Sequence, residues 1–180
     1  AGLMVAPQIG GFASSLNARW PYNTALSKKF LADAGYPDGF EVTMDCPNDR
    51  YVNDEKICQA AAAMLARVGV NVKVLAQTKS KYFGKVLSQN NYDTSFYLLG
   101  WTPGTMDAHQ AIEPLMACRT KEKGRGLFNL GGYCNERVHA LAPMIESETD
   151  QAKRAMMIKE VFKIHQDDVV AAGSVLNVAL

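Results

Sequence analysis

Three polar clusters in the sequence follow apolar runs, and each carries side chains able to grip a small molecule. PNDRYVND holds Arg50, Tyr51 and Asn53; AQTKSKYF holds Lys79, Lys81 and Tyr82; GWTPGTMD holds Trp101, Thr105 and Asp107. A guanidinium offers a carboxylate two parallel N–H donors. An indole offers an apolar wall with one donor. The forced turn at Pro103-Gly104 is placed to bring Thr105 and Asp107 back towards Trp101. A second reading stands beside this one: Trp101 covers the core, and Asp107 caps the helix that follows.

Covalent and metal chemistry find less support. His109, His139 and His165 show neither His-x-His nor His-x3-His spacing, so no metal site is expected. There is no Gly-x-Ser-x-Gly elbow, and no cysteine stands in a nucleophile motif. The glycines of GRGLFNLGG lack the Lys-Ser/Thr of a phosphate-binding loop. Lys121, Lys123 and Arg125 are read as a solvated loop. Catalytic residues, metal and cofactor are therefore all expected to be absent.

Bulk composition sets the class. The chain has 180 residues, 48% of them hydrophobic, with 19 basic residues against 18 acidic ones. That supports an ordinary globular core and gives no basic stripe for nucleic acid. No apolar run is long enough to span a bilayer. The opening lacks a charged stretch followed by an apolar one, so a signal peptide is expected to be absent or already removed. Four cysteines allow three pairings. Cys46–Cys58 with Cys118–Cys134 is favoured, because each pair closes a short loop. Four unpaired buried thiols remain the competing reading.

The elements that must position these groups follow from periodicity. Asn23 or Thr24 starts a short helix that Gly35 stops. Phe40–Cys46 alternates as a strand. Asn53 or Asp54 caps a helix through Val68, and Gly69 ends it. Val70, Val72 and Val74 mark a second strand, and a helix covers about 79 to 88. YDTSFYLLG reads as a third strand. A short helix is expected within 106–117. Asn135 caps a helix to Ser147, with Pro143 as a kink or break, and Asp150 caps a last helix in which Ile164 or His165 faces inward. Strands alternating with helices predict an α/β fold with a mixed, largely parallel sheet flanked by helices. Residues 1–21 read as an irregular connecting segment with apolar anchors, 22–168 as the α/β lobe, and 169–180 as an apolar tail.

Several blocks in this order carry a resemblance. AGYPDGFEV at 34–42, the L-x-x-x-G-V-x-V pattern at 65–72, YDTSFYLLGW at 92–101 and ETDQAKR at 148–154 together resemble the dipeptide/oligopeptide-binding (family 5) receptors of ABC transporters. The likeness runs from about Tyr22 to Val170 and corresponds to the C-terminal lobe of a two-lobed, type II periplasmic-binding-protein-like fold. It implies capture of a small solute such as a short peptide outside the cytoplasmic membrane, and delivery to an ABC permease. It also implies that the tail 169–180 returns to the other lobe. In peptide-binding relatives an acid three residues beyond the Trp fixes the α-ammonium group. Here that position is Gly104, and the nearest acid is Asp107. Arg50, with Asn53 three residues on, matches the arginine that holds the peptide carboxylate. A cysteine pair around the same loop in dipeptide binders supports Cys118–Cys134. The expected ligand-binding set is Arg50, Tyr51, Asn53, Trp101, Thr105 and Asp107. The alternatives are a protein-interaction module, with 169–180 as its contact strand, or a small α/β enzyme.

Overall fold

A computed structural model describes residues 2–18, 21–87, 91–120 and 124–168. The tail 169–180, Lys121 and Lys123 lie outside the described residues, and so do the readings placed on them. The chain folds as two compact units, one within Trp20–Leu98 and the other within Ala1–Arg19 together with Leu99–Leu180. The expected single lobe of 22–168 therefore spans both, and the opening segment belongs with the second.

The first is a βαβ unit. Helix α1 (Thr24–Asp33) starts where the Asn23 side chain accepts from Leu26 N at 2.9 Å. It ends at Gly35, which holds φ +89°. None of its residues is buried, and Leu26 and Phe30 stay exposed. Strand β1 (Phe40–Pro47) pairs in parallel with β2 (Val70–Gln77), in register from Phe40↔Val70 to Pro47↔Gln77. Helix α2 (Asp54–Ala66) is the crossover between them. The entrance to β1 depends on Gly39: a Cβ there would lie 1.9 Å from Gly69 O. Helix α3 (Lys79–Val86) buries Tyr82 and Val86.

The expected third strand contracts to one parallel bridge, Asp45↔Tyr97. Asp45 N donates to Phe96 O at 2.8 Å, and Leu98 N donates to Asp45 O at 3.0 Å. Left-handed backbone at Asn91 and Tyr92 turns the chain just before this point. Side chains then hold the segment: Thr94 Oγ1 and Lys85 Nζ both donate to Asp45 Oδ2, at 2.7 and 2.9 Å. Tyr82 Oη donates to Leu98 O at 2.8 Å. The apolar run does reach the core, since Leu98 joins Met44 and the Cys46–Cys58 bridge there.

The second unit is helical. It contains α4 (His109–Ala111), a π-helical stretch Ile112–Met116, α5 (Glu136–Ser147) and α6 (Gln151–Asp167). Val138, Leu141, Ala142 and Ile145 of α5 and Ile158, Val161 and Phe162 of α6 form its core. Asn135 and Asp150 cap α5 and α6 as expected. Of the kink or break expected at Pro143 there is no break, since α5 runs from Glu136 to Ser147 with Pro143 inside it. The inward residue near the end of α6 is His165, which is 3% exposed. Leu3, Met4, Val5 and Ile9 are buried, so the opening segment is part of this core. Gly11 allows the close approach: it holds φ +89°, and a Cβ there would lie 2.9 Å from Ile158 Cδ1.

The GRGLFNLGG stretch is not a solvated loop. Arg125 has a side chain only 16% exposed and pairs with Glu113 at 3.4 Å. Asn129 is buried and donates to Ala117 O at 3.0 Å while accepting from Tyr133 N at 3.0 Å. A buried amide with its bonds satisfied fixes a loop tightly. The described part of the stretch, 124–132, is tied down between the cysteines of the Cys118–Cys134 disulfide.

Candidate functional site

In the βαβ unit, the expected ligand residues fall between β1 and α2. The carboxyl ends of strands in α/β sheets are where such loops meet ligands. This loop is built around Asp54. Its Oδ2 accepts from Arg50 N and Tyr51 N, both at 3.0 Å, and its Oδ1 accepts from Glu55 N at 2.9 Å. Burial disfavours the Asp54 charge, but the backbone donors of Tyr51, Arg50 and Glu55 outweigh it and hold the carboxyl below its ordinary range. Asn53 takes φ 58°, a left-handed conformation that Asn tolerates, and leaves its side chain out of the helix cap. The Cys46–Cys58 disulfide ties the end of β1 to α2, with Cα atoms 6.6 Å apart.

These anchors leave the Arg50 side chain exposed, its guanidinium carbon 4.9 Å from the centroid of the Tyr51 ring. Stacking of this kind orients the guanidinium without consuming its N–H donors. Among the described residues no carboxylate pairs with it. Lys79, from the second cluster, contributes its backbone to the same region: Lys79 N donates to Asp49 Oδ1 at 2.5 Å. Tyr82 is fully buried in the core.

In the helical unit, Trp101 is half-buried. Its Nε1 donates to Gln110 O at 2.8 Å, and its ring lies 4.9 Å from that of Phe128. The indole donor is therefore used internally, and one part of the ring remains accessible. Gln110 also accepts from Thr105 N at 3.0 Å through Oε1, so one glutamine holds both ends of the turn. The Thr105 side chain is on the exposed side. A Cβ at Gly104 would meet only Gln110 Oε1, at 3.5 Å. Nothing in the backbone requires glycine there, and a side chain would find room.

Asp107 is the anchor of this turn. Its two oxygens accept from Arg154 Nη1 at 2.8 Å and Nη2 at 2.7 Å, and Oδ1 also accepts from His109 N at 2.8 Å. Burial disfavours its charge, but Arg154 and the His109 amide overcome that and hold the carboxyl below its ordinary range. Arg154 donates through Nε to Ile145 O at 3.0 Å. Gly10 N donates to Met106 O and Ala108 N donates to Gly10 O, both at 2.8 Å, which fixes the backbone beside the acid. The pairing with Arg154 belongs to neither sequence reading of Asp107, and the bond from His109 N lies beside the start of α4, whose N-cap is Ala108.

The structure thus groups Arg50, Tyr51 and Asn53 in one unit and Trp101, Thr105 and Asp107 in the other. Sequence reasoning missed two organising residues. Asp54 was seen only as a cap, although an acid four residues beyond Arg50 is the visible signal. Arg154 stood in the ETDQAKR block, but nothing in the sequence gave it a partner 47 residues away.

Comparison with known proteins adds the evolutionary context. The family described as bacterial extracellular solute-binding proteins, family 5 Middle, matches residues 1–123. The glutathione-binding protein GsiB of Pectobacterium atrosepticum is 29% identical over 143 residues, covering 78% of this chain and 27% of the relative. GsiB of Escherichia coli K12 is 26% identical over 157 residues, covering 86% of this chain and 30% of the relative. A dipeptide-binding protein from Pseudoalteromonas sp. SM9913, solved with Met-Leu, superposes with a TM-score of 0.79 at 21% identity, covering 94% of this chain and 32% of its own. The chain thus spans under a third of the length of these proteins, and shares the α/β architecture of the type II periplasmic-binding-protein-like class.

Proposed function

The chain belongs to the bacterial extracellular solute-binding proteins of family 5, and on that premise we propose that it forms part of the solute-capturing body of an ABC-transporter receptor. In this reading it holds a small solute such as a short peptide, outside the cytoplasmic membrane, for delivery to a permease, and it catalyses no turnover. The two disulfides suit an oxidising compartment. No helix among the described residues is long and apolar enough to cross a membrane.

The observation that carries the proposal is the exposed Arg50 guanidinium, stacked on Tyr51 with its donors unclaimed by any described carboxylate. Such a group is prepared for a solute carboxylate. Asn53 adds an amide beside it. In the helical unit, taken by itself, Trp101 offers an apolar surface and Thr105 a hydroxyl to a solute. Asp107 acts on the solute indirectly, by holding the turn through Arg154. With glycine at 104 the ammonium-binding acid of peptide receptors is missing, so the carboxylate end of the solute dominates recognition. The similar glutathione-binding and Met-Leu-bound proteins take solutes that carry such a carboxylate.

Calorimetric titration with carboxylate solutes and their amidated counterparts tests this. We expect the free carboxylate to bind more tightly, and Arg50→Ala to remove that preference with a loss of about 2 kcal/mol, as for a charge-assisted pair. Equal binding of acid and amide by the unaltered protein would end the proposal.

A further inference from the structure

We propose that His109, Glu113 and Glu146 of the helical unit form a divalent transition-metal site of the zinc type, joining the α4–π segment to α5. One ligand atom from each of the three lies within 4.8 Å of the others. His109 Nε2 is 3.8 Å from Glu113 Oε2 and 3.0 Å from Ala142 O. Two ligands bound at about 2.0–2.2 Å to a tetrahedral ion stand roughly 3.5 Å apart. A central ion therefore needs each donor to move by less than about 1 Å.

The local structure explains why these atoms converge. His109 and Glu113 are four residues apart, on one helical face. The π-helical stretch begins between them, at Ile112, and single π turns recur at functional sites. Glu146 comes from α5, one turn beyond the Ala142 carbonyl that faces the imidazole. The His109 side chain is 12% exposed and that of Glu113 is 32% exposed, while Glu146 is open to water. The site is thus partly desolvated and open to solvent on the Glu146 side, from which water supplies a fourth ligand.

Charge also favours a cation. Arg125 takes Glu113 Oε1, which leaves Oε2 turned towards the imidazole. Among the described residues, no hydrogen bond or ion pair engages the Glu146 carboxylate. A simple His109–Glu113 pair accounts for two of the groups but leaves a second carboxylate drawn in beside them without compensation. One neutral imidazole and two carboxylates suit zinc better than magnesium or calcium, which prefer all-oxygen shells. For binding, the imidazole keeps its proton on Nδ1 and presents Nε2 to the ion. The proton that Nε2 would donate to Ala142 O in the metal-free tautomer moves to Nδ1, so the ring stays neutral.

The test is titration of chelator-stripped protein with Zn2+ by calorimetry, and with Co2+ followed by ligand-field absorption. We expect one equivalent to bind, the melting temperature to rise with Zn2+ and not with Mg2+, and the affinity to fall about tenfold or more in His109→Gln and in Glu146→Gln. Glu146 is exposed, so its variant keeps the fold. His139→Gln, on the same helix, should bind as the unaltered protein does. Absence of saturable one-equivalent binding, or unchanged affinity in both ligand variants, would overturn the site.

Discussion

Two loops in this chain solve the same problem in different ways. The Arg50–Asn53 loop of the βαβ unit and the Trp101–Asp107 turn of the helical unit are each organised by a carboxylate whose charge is held by donors. Asp54 collects backbone N–H groups from residues one to four positions away. Asp107 takes a guanidinium from 47 residues away. A local anchor is nearly complete once the helix start forms. A distant one exists only when α6 has packed. The first loop should therefore tolerate damage elsewhere in the chain, and the second should not.

The largest expected effect comes from acid. Burial holds His165 neutral with a pKa of about 4, against an ordinary 6.5, and Asp168 opposes this only partly. The unfolded chain binds that proton first, so stability is complete above pH 6.5 and falls as the pH drops from 6.5 to 4. At ~1.4 kcal/mol per pH unit the loss approaches about 3 kcal/mol. Hydrogen exchange should show Ile158 and Phe162 of the helical unit losing protection in this window while Met44 of the βαβ unit keeps it. Simultaneous loss in both would break the contrast.

Next comes Arg154→Ala, which leaves the half-buried Asp107 unpaired. About 2 kcal/mol of destabilisation is expected in urea unfolding, below the range for fully buried pairs because both side chains keep some solvent. Asp54→Ala should cost about 1.5 kcal/mol, the loss of a charged acceptor for three amides. It should also free the Arg50 loop in relaxation measurements while Trp101 fluorescence stays unchanged. The smallest effect is at Gly104. Gly104→Asp should alter stability by less than about 0.5 kcal/mol, since the added Cβ makes only an ordinary van der Waals contact, with Gln110 Oε1 at 3.5 Å. It should increase binding of solutes bearing an ammonium group. A large loss of stability there would mean that glycine is needed for the turn itself.

The sequence determined what depends on near neighbours. Caps at Asn23, Asn135 and Asp150, the stops at Gly35 and Gly69, the two parallel strands and both cysteine pairings could be read from residue type and spacing. Arg50 and Trp101 stand out by residue type after apolar runs, but the sequence leaves open whether Trp101 meets a ligand or covers the core. The third strand reads as longer than it is because its apolar run is genuinely buried while its backbone pairing is confined to Asp45, which no pattern reveals. Arg125 reads as a solvated cation because a Gly-rich, basic stretch looks the same whether or not a buried Asn129 ties it down. Only the tertiary structure assigned Arg154 to Asp107, and only it brought Glu146 to His109 and Glu113. Periodicity reports contacts within a turn or a strand. A charge carries no record of its partner until packing removes the water between them.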